Sequence, residues 1–220
     1  MVRRRVAILI SGRGSNMAAL VEAARQPEYP AEIALVIANR ADAAGLDYAA
    51  SAGIPTAFFS HKAYPSRQAF DAALDAALRA ADIELVCLAG FMRLLTGGFV
   101  EAWRDRLINI HPSLLPLFPG LHTHEAALAA GVKLHGCTVH FVRSAVDSGP
   151  IIAQAAVPVL SGDTPDTLAA RVLVGEHRIY PLALALLARG ALRIVDERVE
   201  IDPALGEEAQ EPLVAPSIPQ

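Results

Sequence analysis

The sequence predicts an α/β protein built on a doubly wound, mostly parallel but mixed sheet. Three observations carry that prediction. Apolar, β-branched runs alternate with helical-period segments through the first half of the chain. The runs are apolar throughout rather than alternating, as "RRVAILIS" at 4–11 shows, so both faces of each strand are covered, as in a parallel sheet. Later, two longer apolar runs at 135–142 and 149–159 are joined by the short connection "RSAVDS", which favours an antiparallel pair and makes the sheet mixed.

Taken in order, strands are expected at 4–11, 32–40, 55–60, 83–90 and 106–110. Between them the periodicity predicts helices at 15–26, 43–53, 66–82 and 97–105, the second closed by Gly53, a helix stop. A helix follows at 123–131, then the two longer strands. A long helix at 164–190 contains Pro181, which is expected to kink or split it near Tyr180. Residues 191–201 read as a terminal hairpin. No repeat or composition break divides the chain, so 1–201 is expected as a single domain, with the proline-rich, acidic 202–220 as a flexible tail.

Composition narrows the function classes. The chain has 220 residues, 53% hydrophobic and 19% charged, with a formal net charge of −4. That is globular and carries no electrostatic footprint for nucleic acid. Arg3–Arg5 read as a solvated end. No apolar run is long enough for a signal peptide or a bilayer span. Cys87 and Cys137, both in apolar strand-like runs, read as buried reduced thiols, and the expected compartment is cytoplasmic.

Two segments carry chemistry. "SGRGSN" at 11–16 lies between a buried strand and a helix, where backbone N–H groups approached past glycine make an anion site. Ser15 and Asn16 add donors and are positioned to cap the helix; a tight capped turn without ligand is the alternative. The usual dinucleotide loop fails, leaving a nicotinamide dehydrogenase only in an atypical form: Met17 stands where its third glycine belongs, and Asn39-Arg40 replaces the acidic residue after the second strand. A single phosphomonoester fits better.

The second segment is "NIHPSLLPLFPGLHTH" at 109–124, a stiff apolar loop with three prolines and three histidines. Strand alternation points Asn109 and His111 to one side. A carboxamide donor beside an imidazole suits attack on a carbonyl: one stabilises an oxyanion, the other manages a proton. Asp147, in the connection before "SGPII", is placed to return to that edge and act on the imidazole. Asn109 also fits a plain turn former. His122, His124, His135 and His140 lack matched ligand spacing, so no metal is expected. His140 and His177 read as structural histidines.

These residues resemble the folate-dependent glycinamide ribonucleotide formyltransferase family. The resemblance rests on "LISGRGSN", "VIANRADAAGLDYA", "LAGFMRLL", "NIHPSLLPLFPGLHTH", "HGCTVHFV", "DSGPII" and "GEHRIYP", in family order over about residues 5–200. Arg13 and Leu117 occupy positions that vary in the family. The resemblance implies a Rossmann-like formyltransferase fold. It implies transfer of a formyl group from the co-substrate 10-formyltetrahydrofolate to the amine of 5-phosphoribosylglycinamide, in purine (IMP) synthesis, with no metal. Asn109, His111 and Asp147 would be catalytic. Gly12, Arg13, Gly14, Ser15, Asn16 and Glu176 would hold the ribonucleotide. Arg67, Met92, Arg93, Leu94, Leu95, Asn109, Arg143, Ser144, Ala145, Val146 and Asp147 would line the folate site. The partners implied are small molecules, not nucleic acid or membrane, and the protein would be a monomer or homodimer. A formyltetrahydrofolate hydrolase, a formyltransferase acting on methionyl-tRNA or a nucleotide sugar, and a non-catalytic nucleotide sensor remain alternatives. The hydrolase's usual regulatory domain and the tRNA enzyme's C-terminal domain are not expected here.

Overall fold

The computed structural model describes residues 2–205 and 213–216. Among the described residues, β1 (Arg4–Ile10), β2 (Ala31–Ala38), β3 (Thr56–Phe58), β4 (Leu85–Leu88), β5 (Leu107–His111), β6 (Leu134–Phe141) and β7 (Ile151–Pro158) form a seven-stranded sheet of order β3-β2-β1-β4-β5-β6-β7, and β8 (Leu192–Val195) pairs with β9 (Arg198–Ile201) in a two-stranded sheet. The expected mixed sheet is therefore present, parallel in β1–β4 and in the β4–β5 pair, antiparallel between β6 and β7. The contacts group the chain into two units, Met1–Asn109 with Phe141–Ala145, and Ile110–His140 with Val146–Gln220.

In the first unit, β1 (Arg4–Ile10) runs parallel to β2 (Ala31–Ala38) and β4 (Leu85–Leu88). Val6 to Ile10 are all fully buried, which is why the run is apolar without alternation. Ala7 and Leu9 pack with Leu35 and Ile37 of β2, Phe70, Leu74 and Leu78 of α3 (Arg67–Ala80), and Phe99 and Trp103 in and after α4 (Gly97–Ala102). Helix α3 starts where the Ser66 hydroxyl accepts from Ala69 N. Helix α4 starts at Thr96, whose own N–H donates to the buried Asp71 carboxylate at 2.6 Å. The third strand is shorter than expected: β3 covers only Thr56–Phe58, at the sheet edge.

Arg3–Arg5 are more than a solvated end. Arg5 pairs with Glu32 at 2.8 Å and Arg4 with Glu84 at 2.7 Å, and the Arg3 guanidinium donates to the Ala24 and Ala31 carbonyls. They tie down the N-terminal end of β1, the end of the strand away from Gly12–Asn16.

In the second unit, β6 (Leu134–Phe141) and β7 (Ile151–Pro158) pair closely, and α6 (Pro165–Ala188) packs on β7. Helix α6 begins with Pro165 behind a Thr164–Thr167 capping box. It runs unbroken through Pro181, so the expected split does not occur. Proline in a helix interior costs about 3 kcal/mol. Here Tyr180, Ala183 and Leu184 are fully buried around it, and that packing holds the helix together. Gly175 permits the approach, because a Cβ there would sit 3.1 Å from Ala155 Cβ and 3.3 Å from Cys137 Sγ. Burial pushes the Cys137 thiol up to about 12, so it is inert packing; Cys87 is likewise buried and in no disulfide. A short α5 (Thr123–Ala129) and the β8 (Leu192–Val195)–β9 (Arg198–Ile201) hairpin complete the unit. Of the expected tail, Pro203–Leu205 form a 3₁₀ turn, and residues 206–212 and 217–220 lie outside the described residues.

Candidate active site

The phosphate-loop candidate follows β1 in the first unit. Helix α1 (Ser15–Ala24) begins directly after Gly14, which holds φ 75° and acts as its N-cap without any side-chain bond. The expected capping by Ser15 and Asn16 is thus replaced by a left-handed glycine, the residue that adopts this backbone without strain. Ser15 is thereby the first helical residue, and the unsatisfied N–H groups of the first turn lie at this end. Gly12 and Arg13 are exposed, and Gly45 N donates to the Gly12 carbonyl at 3.2 Å. A Cβ on Gly12 would meet nothing within 4 Å, so the loop is open on that side.

The same unit holds the folate-lining candidates except Asp147 and the exposed Val146, which belong to the second unit. Met92 and Leu94 are exposed, Arg93 and Leu95 half-buried, and Arg67 is the exposed first residue of α3. Ser144 and Ala145 are exposed. Arg143 commits its guanidinium to Asp105 at 2.8 Å, so its side chain is engaged within the protein.

Asn109 and His111 lie on β5 (Leu107–His111), two residues apart on one face. The strand extends one residue further than expected and takes in His111. Asn109 is half-buried, while His111 is buried. In the second unit, His111 Nδ1 lies 3.4 Å from Asp147 Oδ2 and its Nε2 is 3.1 Å from the Phe118 carbonyl oxygen. Asp147 holds φ 50°, and its Oδ2 accepts from Gly120 N at 2.8 Å. Its other oxygen lies 3.8 Å from Nε2 of the buried His140. The carboxylate therefore sits between two imidazoles, fixed by a backbone donor. The imidazole and carboxylate come together as their sequence positions suggest. His140, read from sequence as merely structural, belongs beside them.

A buried network holds the proline loop to the β6–β7 pair. Thr138 Oγ1 donates to the Ser113 carbonyl at 2.7 Å and accepts from Leu115 N at 3.0 Å. Gln154, opposite Thr138 on β7, donates to the Leu115 carbonyl and to Thr138 Oγ1, each at 2.9 Å. Ser113 Oγ reaches the Leu117 carbonyl at 2.6 Å, and Thr123 Oγ1 the Pro112 carbonyl at 2.8 Å. Phe118, Gly120 and His122 all take positive φ, and the Leu115–Pro116 peptide is cis. Thr138 and Gln154 were not singled out from sequence. The available signal was their register: Gly136, Thr138 and His140 share one face of β6.

Beneath the loop lie more histidines. His135 is fully buried, edge-on to Phe118 and to His124, with ring centroids 5.8 and 5.3 Å away. Burial, then the neighbouring His124, push its imidazole down to about 4, the Pro112 carbonyl acting the other way. Burial also lowers His124 and His177. A histidine depressed in the fold stays neutral while the unfolded chain takes up a proton near pH 6.5, so this costs nothing at higher pH and destabilises as pH falls toward 4. His135 alone should remove about 2 kcal/mol between pH 7.5 and 5. Urea unfolding at the two pH values checks this: the loss should shrink in His135→Leu, and an equal loss in both proteins would refute the assignment.

Glu176 is buried on α6, and its charge acts on Cys137. Among the described residues no group of three or more His, Cys, Asp or Glu is arranged to hold a metal ion, and no helix is long and apolar enough to cross a membrane.

The chain is similar to known proteins over most of its length. The formyl transferase family profile matches residues 4–184. The chain is 57% identical over 198 residues to the trifunctional purine biosynthetic protein adenosine-3 of Drosophila pseudoobscura pseudoobscura, covering 89% of this chain but spanning only 14% of that protein's length. It is 44% identical to phosphoribosylglycinamide formyltransferase of Escherichia coli (strain K12), covering 90% of this chain and 93% of that protein. The crystal structure of glycinamide ribonucleotide transformylase 1 from Symbiobacterium toebii superposes with a TM-score of 0.89 at 53% identity, over 90% of this chain and 94% of that one. The glycine turn after β1, the Asn109–His111 pair on β5 and the carboxylate at His111 thus sit in a chain that belongs to the formyl transferase family.

Proposed function

We propose that the chain transfers the formyl group of 10-formyltetrahydrofolate to the primary amine of 5-phosphoribosylglycinamide, a step of de novo purine synthesis. The observation that carries this reading is the placement of Asn109 and His111 on one face of β5, with Asp147 Oδ2 at the His111 ring. The amine nitrogen attacks the formyl carbon, and its carbonyl oxygen becomes an oxyanion in a tetrahedral intermediate. The Asn109 carboxamide and the His111 imidazole stabilise that oxygen. On collapse the bond from the formyl carbon to the folate nitrogen breaks, and the proton lost by the amine ends on that nitrogen, with His111 as the group that manages it. Asp147, with Oδ2 3.4 Å from Nδ1, orients the ring. Gly12 to Asn16 and Glu176 bind the ribonucleotide, and Arg67, Met92–Leu95 and 143–147 line the folate site. The formyl carbon is already activated, so proximity supplies much of the rate and no metal is needed. The protein would act in the cytoplasm on small molecules alone, as a monomer or homodimer, with 1–201 as its catalytic domain.

The apolar proline loop suits a flat, largely apolar pterin, and its stiffness lowers the entropy lost on ordering. The deciding experiment mixes the protein with 10-formyltetrahydrofolate, with and without the ribonucleotide, and follows folate release. Release only with the ribonucleotide is expected. Release without it would make the protein a hydrolase, and no release in either mixture would refute both.

The loop assignment has its own test. Gly14 is a poor probe, because a Cβ there would meet Met17 Cε at 2.8 Å and Gly45 Cα at 3.0 Å on a positive-φ backbone. Gly12 is a clean one. Gly12→Ala should raise KM for the ribonucleotide roughly tenfold by disturbing charge-assisted bonds to phosphate, with thermal stability and folate KM little changed. Equal rises for both substrates would mean that the loop only shapes the fold.

A further inference from the structure

Ser11 directly follows β1 and belongs to neither proposed ligand set. It is 7% exposed, beside Asn39 at 5%. Its hydroxyl donates to Asn39 Oδ1 at 2.6 Å and accepts from Met92 N at 2.7 Å. A hydroxyl has one proton to give: the Met92 amide can only donate, and the Ser11 proton goes to Asn39 Oδ1, an oxygen that can only accept. Asn39 is anchored in turn, its N–H reaching the Ile10 carbonyl at 3.4 Å. The ends of β1 and β2 and the chain beyond β4 are therefore joined through one oxygen atom.

Its position matters more than its strength. The residues that follow Ser11 in the chain are the phosphate-loop candidates Gly12–Asn16. The residue bonded across to it opens the folate-lining segment Met92–Leu95. Met92 is 67% exposed as a residue, yet its amide is tied to a buried hydroxyl. Backbone next to an exposed side chain is thus held by the same atom that terminates the strand feeding the phosphate loop.

We infer that Ser11 is a positioning residue that makes the affinities of the two substrates interdependent. This rests on the ligand assignment proposed above. Ordering Gly12–Asn16 about a phosphate restrains Ser11, and Ser11 restrains the amide at Met92 and so the segment facing the folate. The ligand that binds second then meets a segment already ordered, which gives positive coupling without any change of shape. The coupling is reciprocal, since each ligand must alter the other's affinity by the same factor.

The test uses a pair that cannot react, tetrahydrofolate and 5-phosphoribosylglycinamide. Calorimetry gives the Kd of tetrahydrofolate without and with saturating ribonucleotide, and their ratio is the coupling. In the unaltered protein the ratio should be about fivefold or more, at the lower end of usual couplings. Ser11→Ala should bring it below about twofold, and Ser11→Thr, which keeps the hydroxyl, should restore it. Asn39→Ala, which removes the acceptor and leaves Ser11 in place, should lower it and serves if Ser11→Ala does not fold. A ratio unchanged in Ser11→Ala, or both affinities weakened with the ratio kept, overturns the inference and leaves Ser11 a structural residue. Binding of both ligands to the unaltered protein with a ratio near one overturns the coupling but leaves the proposed function standing. Failure of the unaltered protein to bind either ligand overturns the proposed function itself.

Discussion

Replacing His111 with alanine should lower kcat by roughly a hundredfold to ten-thousandfold, the usual worth of a positioned proton-transfer group. Asn109→Ala should cost about 3–4 kcal/mol of transition-state stabilisation, a typical value for one oxyanion donor. The two side chains stand two residues apart on β5, and His111 is held by contacts at both ring nitrogens. In the proposed mechanism they meet one oxygen of one intermediate, so their losses should not add. The double variant should be little slower than the slower single one. Steady-state kinetics on the three variants, with far-UV circular dichroism to show that each folds, checks this. Fully additive losses would show that the residues act in different transition states.

The second large effect is on folding. Gly136 lies on β6 where a Cβ would come 1.9 Å from the Ala155 carbonyl oxygen and 2.9 Å from Leu114 Cδ2. Ala155 belongs to β7, paired with Cys137, so its carbonyl cannot move without breaking the ladder. Gly136→Ala should therefore destabilise by about 3 kcal/mol or more, as overpacking against fixed backbone does. Gly98→Ala is the control: it lies in α4, has nothing within 4 Å of its ideal Cβ, and should be neutral or slightly stabilising. Urea midpoints decide. A Gly136→Ala protein as stable as the parent would mean that the two strands do not approach this closely.

What the sequence revealed follows from what local pattern can encode. Burial on both faces turns Val6–Ile10 into an unbroken apolar run, and a proline at the first helical position announces α6 at Pro165. The catalytic candidates were legible for a related reason: Asn109 and His111 are polar residues in and at the end of an apolar strand. The N-terminus of α1 was misread because a serine and an asparagine were in view, whereas the left-handed turn needs only Gly14. The split expected at Pro181 does not occur, because a helix rule is local while Tyr180, Ala183 and Leu184 are held by tertiary packing. The bonds from Thr138 to Ser113, from Gln154 to Leu115 and from Met92 to Ser11 span 25, 39 and 81 residues. Periodicity reports that a residue is covered, not by what, so partners at such separations leave no local trace.

The positive φ of Asp147 decides how variation at that position is to be interpreted. A left-handed backbone costs most residues roughly 1–2 kcal/mol, but asparagine and aspartate visit it readily. Glutamate, the swap that preserves charge, brings an ill-suited backbone and a carboxylate displaced by one methylene from Gly120 N and His111. Asparagine, the swap that discards charge, keeps both the turn and the reach. The ordinary ranking of conservative replacements is therefore inverted here: neutral asparagine perturbs the architecture less than charged glutamate, and it alone isolates what the negative charge does.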